Sequence, residues 1–312
     1  MRNLNTRAQQ KNKMIAEYAT GEDIWQWRCS AISDAAGFGF SAREVDWLLI
    51  EVTGLDYLAL HLGSYKEIAK IPLKRSLVEL SRLWQEHLEN SLPLQYVAGS
   101  LPWRNLTLKV SPKVLIPRPE TEFLIDIVEV LVQKEPYLQD GVWVDLGTGS
   151  GAIAIALAYL LENAQIYAID TSPEALSVAS DNVGFYNLNS RITLLRGSWW
   201  SSLDCSSRTT ITGMISNPPY IPSGDIEQLE SNVKDHEPLL ALDGGEDGLR
   251  DIRYLVESAP DYLCSGGVWL IELMIGQAGT VVELLQNQGN YKQIEIYQDF
   301  SGVERYVLAR RK

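Results

Sequence analysis

Three short clusters in this 312-residue chain carry residue types suited to chemistry. The first, Asp145-Leu146-Gly147-Thr148-Gly149-Ser150-Gly151, alternates glycine with other residues between a strand-like run and a helix-like run. Glycines there let the backbone turn sharply and let a ligand approach closely, while the helix that follows offers free N–H groups. The second is Asp170, at the end of the next strand-like run, where a carboxylate can accept hydrogen bonds from both hydroxyls of a ribose. Ser172, Pro173 and Glu174 already supply a helix cap, an N1 proline and a first-turn acid, which leaves Asp170 for a ligand. The third is Ser216-Asn217-Pro218-Pro219-Tyr220, after a further apolar run. Its two prolines forbid helix and remove two N–H donors, setting rigid carbonyls beside the Asn217 amide, an acceptor site for an NH₂ group.

Glycines followed by an acid also mark dinucleotide sites. The spacing here is GxGxG rather than GxGxxG, so the third glycine is misplaced for a pyrophosphate fingerprint. The glycine loop alone does not choose between these readings; the proline pair at the same sheet edge favours NH₂ chemistry.

The elements that must position these clusters follow from hydrophobic period. From about residue 12 to residue 90 the apolar residues recur at helical spacing, as in Val45, Leu48, Leu49 and Val52, and in Leu77, Leu80, Leu83, Trp84 and Leu88. Ser41 with Glu44 reads as a capping box and Gly54 as a helix stop, so an α-helical bundle is expected. After Pro93, alternation over Leu106, Leu108 and Val110, with Pro112, Pro117 and Pro119 nearby, predicts a hairpin and linker. Beyond Glu120, strand candidates (Val142–Leu146, Gln165–Ile169, Ile192–Leu195, Met214–Ser216, Val268–Leu273) alternate with helical stretches (Ala152–Leu161, Pro173–Asn182, Gly279–Gln288). That order predicts an α/β, doubly wound, mostly parallel sheet with its ligand at the carboxyl ends of the strands. Ile294–Tyr297 and Arg305–Ala309 are too close together for a crossover helix and should pair antiparallel.

Composition limits the function classes. Hydrophobic residues at 46% and charged residues at 21% describe a globular chain. A net charge of −13, most of it after residue 90, repels phosphate backbones and disfavours bulk nucleic-acid binding. Cys29, Cys205 and Cys264 show no CxxC spacing and read as buried free thiols. His61, His87 and His236 form no metal-ligating pattern, so no metal is expected. The polar Met1–Met14 stretch lacks the apolar core of a signal peptide, and Gly151–Leu161 is too short to span a bilayer, as in a cytoplasmic protein without a membrane association. Glu246, Asp247 and Asp251 read as a solvated acidic face at a helix start.

Taken together, the clusters resemble class I S-adenosylmethionine-dependent methyltransferases that act on planar NH₂ groups, and more narrowly the release-factor glutamine methyltransferases (PrmC/HemK). Pro93-Leu94-Gln95-Tyr96-Val97-Ala98-Gly99, Leu115-Ile116-Pro117-Arg118-Pro119-Glu120-Thr121-Glu122, Asn217-Pro218-Pro219-Tyr220-Ile221 and Asp299-Phe300-Ser301-Gly302-Val303-Glu304-Arg305 carry the likeness, over roughly Pro93 to Arg311. The resemblance implies a seven-stranded catalytic sheet, with Gly147, Thr148, Gly149, Ser150 and Gly151 holding S-adenosyl-L-methionine, Asp170 on its ribose, Trp199 against adenine and Asn217 also in contact with the donor. The residue before that tryptophan is usually Asp in the family and is Ser198 here, and whether Trp199 or Trp200 faces the donor stays open. Arg118, Glu120 and Thr121 either help close the site or form buried structural pairs.

The expected organisation is a helical substrate-docking domain over 1–92, a hairpin linker over 93–119 and a methyltransferase domain over 120–312. The implied reaction moves a methyl group to the glutamine side-chain nitrogen of the Gly-Gly-Gln motif of peptide-chain release factors, leaving S-adenosyl-L-homocysteine. Asn217, Pro218, Pro219 and Tyr220 would grip the substrate amide, with Asn217, Pro218 and Tyr220 in the catalytic role. An adenine-N6 nucleic-acid methyltransferase, sharing the tetrapeptide, and a cofactor-binding module without activity are the rival readings.

Overall fold

The computed structural model describes residues 17–312, so the Met1–Met14 stretch lies outside the described residues, as does the side chain of Cys205. The chain divides into two compact units, residues 1–102, 109–112 and 230–236 in one, residues 103–108, 113–229 and 237–312 in the other.

Among its described residues, the first unit is built on helices α1 (Gly21–Phe38), α2 (Ala42–Thr53), α3 (Tyr57–Leu62), α4 (Leu77–Asn90) and α5 (Leu94–Ala98). Each of the first four starts on a Thr, Ser or Asp cap, and Ser41 with Glu44 forms the expected capping box on α2, which Gly54 closes in the left-handed conformation. The helical-period residues Val45, Leu48, Leu49, Val52, Leu80, Leu83, Trp84 and Leu88 are all buried. A two-stranded antiparallel sheet, β1 (Glu17–Ala19) with β2 (Ile71–Leu73), was not legible, because three-residue strands carry too little period. The predicted hairpin is present as β3 (Ser100–Trp103) and β4 (Leu106–Lys109).

The second unit holds α6 (Glu122–Lys134), β5 (Val142–Leu146), α7 (Ala152–Leu160), β6 (Gln165–Asp170), α8 (Pro173–Phe185), β7 (Ile192–Arg196) and β8 (Ile211–Ser216). After the short helix α9 (Ser231–Lys234), which belongs to the first unit, follow α10 (Arg250–Ser258), β9 (Leu263–Glu272), α11 (Ala278–Gln288), β10 (Tyr291–Gln298) and β11 (Glu304–Arg311). The seven-stranded sheet runs β10-β11-β9-β8-β5-β6-β7, parallel except for β11, which is antiparallel to both β9 and β10. This is the doubly wound order with the strand sequence reversing at β5, and the central strands β5 and β8 are buried on both faces, as their near-continuous apolar runs require, while the edge strand β7 is partly exposed. Strands β8 and β9 begin earlier than their apolar cores suggest, β9 through Gly266 at φ +79°, a backbone that glycine tolerates. Helix α10 begins where the acidic residues Glu246, Asp247 and Asp251 led a helix start to be expected, and it buries Ile252, Leu255 and Val256 on one face.

Cys29 is exposed on the outer side of α1, and Cys264 is half-buried, so neither is the buried thiol expected from sequence. Both are free. Among the described residues no helix is long and apolar enough to cross a membrane.

Candidate active site

Strand register brings the three chemical clusters to one edge. Leu146 at the end of β5 pairs with Ile169 of β6 on one side and with Ser216 of β8 on the other. The glycine loop, Asp170 and Asn217 therefore leave the sheet side by side, at the point where strand order reverses. A cavity of about 280 Å³ opens there, lined by Gly147, Gly149, Asp170, Trp199 and Asn217 among others.

Each glycine does something different. Gly147 has φ +77°, and a Cβ on it would stand 3.7 Å from the Trp199 ring, whereas one on Gly149 (φ +53°) would meet nothing and project into open space. The absence of side chains thus makes the room. The N–H groups are already committed: Gly147 and Thr148 both donate to the Ile169 carbonyl at 2.9 Å, and Gly149 donates to Asp170 Oδ2 at 2.9 Å.

Thr148, Ser150 and Gly151, expected to hold the donor, do not line the cavity. The Thr148 hydroxyl donates to Asp145 Oδ2 at 2.6 Å, the Ser150 carbonyl accepts from Asn182, and Gly151 packs against Ala179 as α7 starts. Alternation accounts for Thr148 and Ser150, which face back from the cavity, whereas Gly151 is removed from it as the N-cap of α7. Asp145 is wholly buried, with one oxygen lacking a partner, and burial pushes it up to about 7.

Ser172 caps α8 by accepting from Ala175, as expected, and Asp170 lines the cavity. Its oxygens accept from Gly149 and Ser172 N–H, one each, and a carboxylate can accept more than these, so acceptor capacity remains toward the cavity. Burial raises its pKa while those backbone N–H groups hold it down.

Of the two tryptophans, Trp199 lines the cavity and Trp200 is core, stacked on Tyr262 at 4.6 Å between centroids. Trp199 adopts φ +53°, a strained conformation for a bulky residue, and its Nε1 donates to Asp251 Oδ1 at 3.3 Å. Asp251 accordingly turns into the cavity rather than joining a solvated face. Glu246 and Asp247 are exposed, Asp247 pairing with Arg253. Nothing in local sequence distinguished Asp251 from its acidic neighbours; its partner lies 52 residues away.

Within the proline cluster, Asn217 and Pro219 line the cavity, while Pro218 and Tyr220 do not. Asn217 Nδ2 donates to Thr121 Oγ1 at 3.1 Å, and Tyr220 donates its hydroxyl to Glu272 Oε1 at 3.3 Å. Burial drives the Tyr220 hydroxyl pKa upward, so it stays a donor. Arg118, Glu120 and Thr121 part ways: Arg118 pairs with buried Glu237 at 2.6 Å, Glu120 lends its carbonyl to the Tyr306 hydroxyl, and only Thr121 reaches Asn217. No histidine lines the cavity, and no metal-ligating cluster occurs among the described residues.

The chain is 42% identical over 294 residues to the release factor glutamine methyltransferase of Synechocystis sp., covering 94% of this chain and 98% of that protein. It is 43% identical over 286 residues to the protein of that name from Thermosynechococcus vestitus, covering 92% and 96%. The chain belongs to the release factor glutamine methyltransferase family.

Residues 119–217 also match the family model of ribosomal protein L11 methyltransferase (PrmA), a stretch running from α6 to Asn217. The solved catalytic domain of hMettl16 in complex with the MAT2A 3′UTR hairpin 6 shares the fold, with a TM-score of 0.52 at 16% identity over 75% of this chain and 81% of that one. In this methyltransferase the cavity suits S-adenosyl-L-methionine by its own chemistry. Side-chain-free Gly147 and Gly149 leave space under an aromatic face, and Asp170 keeps acceptor capacity beside it.

Proposed function

We propose that this protein transfers a methyl group from S-adenosyl-L-methionine to the side-chain nitrogen of the glutamine in the Gly-Gly-Gln motif of peptide-chain release factors. The observation that carries the reading is the sense of the Asn217 amide. Its NH₂ is held by Thr121, so its Oδ1 is the end left to accept from a substrate NH₂.

An amide nitrogen is a poor nucleophile because its lone pair is delocalised into the carbonyl. The sulfonium donor supplies a strongly electrophilic methyl group. The protein's task is therefore orientation. Asn217 Oδ1 and the Pro218 carbonyl each accept one N–H of the substrate amide, which aims its nitrogen at the methyl, and Tyr220, anchored on Glu272, packs over the carboxamide. Both acceptors strengthen their hold as positive charge develops on nitrogen, so they stabilise the transition state more than the ground state. The N-methylated cation is acidic enough to lose its proton to water, and no general base is required before transfer.

Asp170 takes the ribose hydroxyls, Gly147 and Gly149 make room for the donor, and Trp199 lies against its adenine. The helical unit docks the protein substrate, since a single glutamine offers too little surface for specificity. A net charge of −13 argues against a nucleic-acid substrate for the same acceptor geometry.

The test is methyl transfer from labelled donor to a peptide-chain release factor and to its Gln→Ala variant. Label on the first alone is the expected result. Label on both, or on neither, overturns the assignment of substrate.

A further inference from the structure

An indole turns about two side-chain bonds, and each orientation of a ring at a cavity wall gives a cavity of a different shape. Of the two neighbouring tryptophans, Trp200 is held by the core, its ring stacked on Tyr262 and its Nε1 donating to Ser258 Oγ at 2.9 Å. The backbone before Trp199 is held as well. Gly197 N–H donates to the Asp170 carbonyl at 3.0 Å, and Ser198 N–H donates to Ser201 Oγ at 2.8 Å. Between these anchors Trp199 takes φ +53°, and its half-buried ring stands at the cavity wall beside Gly147. A fixed backbone does not by itself fix the ring.

The polar anchor of that ring is Asp251, whose Oδ1 accepts from Trp199 Nε1 at 3.3 Å. An indole N–H only donates, so the sense of this bond admits no alternative. Asp251 stands in the first turn of α10, where an acid commonly does no more than face the helix dipole. Here both of its oxygens are given to side chains. Oδ2 accepts from Arg250 at 3.0 Å, and the same Arg250 nitrogen donates to the Asp243 carbonyl at 2.7 Å. Two donor-only groups on opposite oxygens set the plane of the carboxylate. Among the described residues that line the cavity only Asp170 and Asp251 are acids, and the ribose accounts for Asp170 alone.

We propose that Asp251, its carboxylate set by Arg250, is a positioning residue that pins the Trp199 indole to the cavity wall and so keeps open the slot for the adenine of S-adenosyl-L-methionine. This rests on the donor-site reading of the cavity and deepens it. Released from Asp251, the ring would gain cover by folding across the cavity, and the donor would bind only the fraction of molecules with the ring held back.

Calorimetric titration with S-adenosyl-L-methionine reads the consequence. Asp251→Ala should raise the dissociation constant on the order of tenfold, as follows when the pinned orientation falls to about one-tenth of the population. In a Trp199→Phe background, which keeps an aromatic face and lacks the N–H, the same Asp251→Ala change should add less than about twofold, since the partner is already gone. A second measurement needs no donor. In protein labelled with fluorotryptophan, the fluorine resonance lost in Trp199→Phe identifies this ring among the nine tryptophans, and Asp251→Ala should shift or broaden it. Unchanged affinity in Asp251→Ala, an equal loss in both backgrounds, or an unmoved Trp199 resonance overturns the positioning role. Should Asp251→Ala not fold, Asp251→Asn takes its place: one amide oxygen must then serve two donors, so a smaller loss confined to the Trp199 background is expected, and no loss overturns the role equally. Wild-type protein that binds the donor yet methylates no release factor would strike the substrate assignment and leave the role of Asp251 standing, whereas wild-type protein that binds no donor would strike the donor-site reading itself.

Discussion

Ser216 donates its hydroxyl proton to the Leu146 carbonyl at 2.6 Å, with both residues fully buried, and this bond ties the last residue before the proline cluster to the last residue before the glycine loop. The two halves of the site are thereby set in register across neighbouring strands. Ser216→Ala leaves the carbonyl without that donor, and a buried group so stranded costs about 1–3 kcal/mol. Urea unfolding should show a loss in that range, with donor binding weakened less than fivefold. No change in midpoint would mean the register is held elsewhere.

Asp170 binds two backbone N–H groups and retains acceptor capacity toward the cavity. Asp170→Ala should raise the dissociation constant for S-adenosyl-L-methionine at least tenfold, about 1.4 kcal/mol, measured by calorimetric titration. An unchanged constant removes Asp170 from the donor site.

Adjacent tryptophans should respond in opposite ways. Trp199→Ala is expected to weaken donor binding with little loss of stability, since the ring lies at the cavity wall and its backbone is strained. Trp200→Ala empties a core position stacked on Tyr262 and should destabilise by about 3–5 kcal/mol. Paired titrations and unfolding curves compare the two, and reversed effects would exchange their roles.

Asn217→Ala should leave donor affinity within about twofold and lower turnover on the order of 100-fold or more, the usual consequence of losing one preorganised partner of the transition state. Single-turnover methylation of a release factor reads this directly. Wild-type turnover in the variant would exclude the acceptor mechanism.

Stability should depend on pH through Asp145. Burial holds its folded pKa up at about 7, above the unfolded value near 3.9, so between those values the folded state binds the proton and the unfolded state does not. Unfolding free energy should therefore fall as pH rises from about 4 to 7 and level off above, with a slope of up to about 1.4 kcal/mol per pH unit per group. Glu272, also raised to about 7 by burial, adds in the same direction. Asp145→Asn can still accept from Thr148 and Ala154, and it should flatten part of that slope. An unaltered slope in the variant would assign the dependence to other groups.

Much of this protein was written locally. Strand and helix order, the capping box at Ser41, the cap at Ser172 and the antiparallel ending depend on residues a few positions apart, whose backbone preferences and hydrophobic period act without distant partners. The glycine loop, Asp170 and Asn217 were legible for the same reason, since each sits where a buried strand runs out. Tertiary structure alone decided which side chains face the cavity. It separated Trp199 from Trp200, turned Thr148 and Ser150 away, brought Asp251 in, and joined Asn217 to Thr121 across 96 residues. Those choices are made by sheet order and by competition for buried hydrogen-bond partners, which no stretch of neighbouring sequence contains.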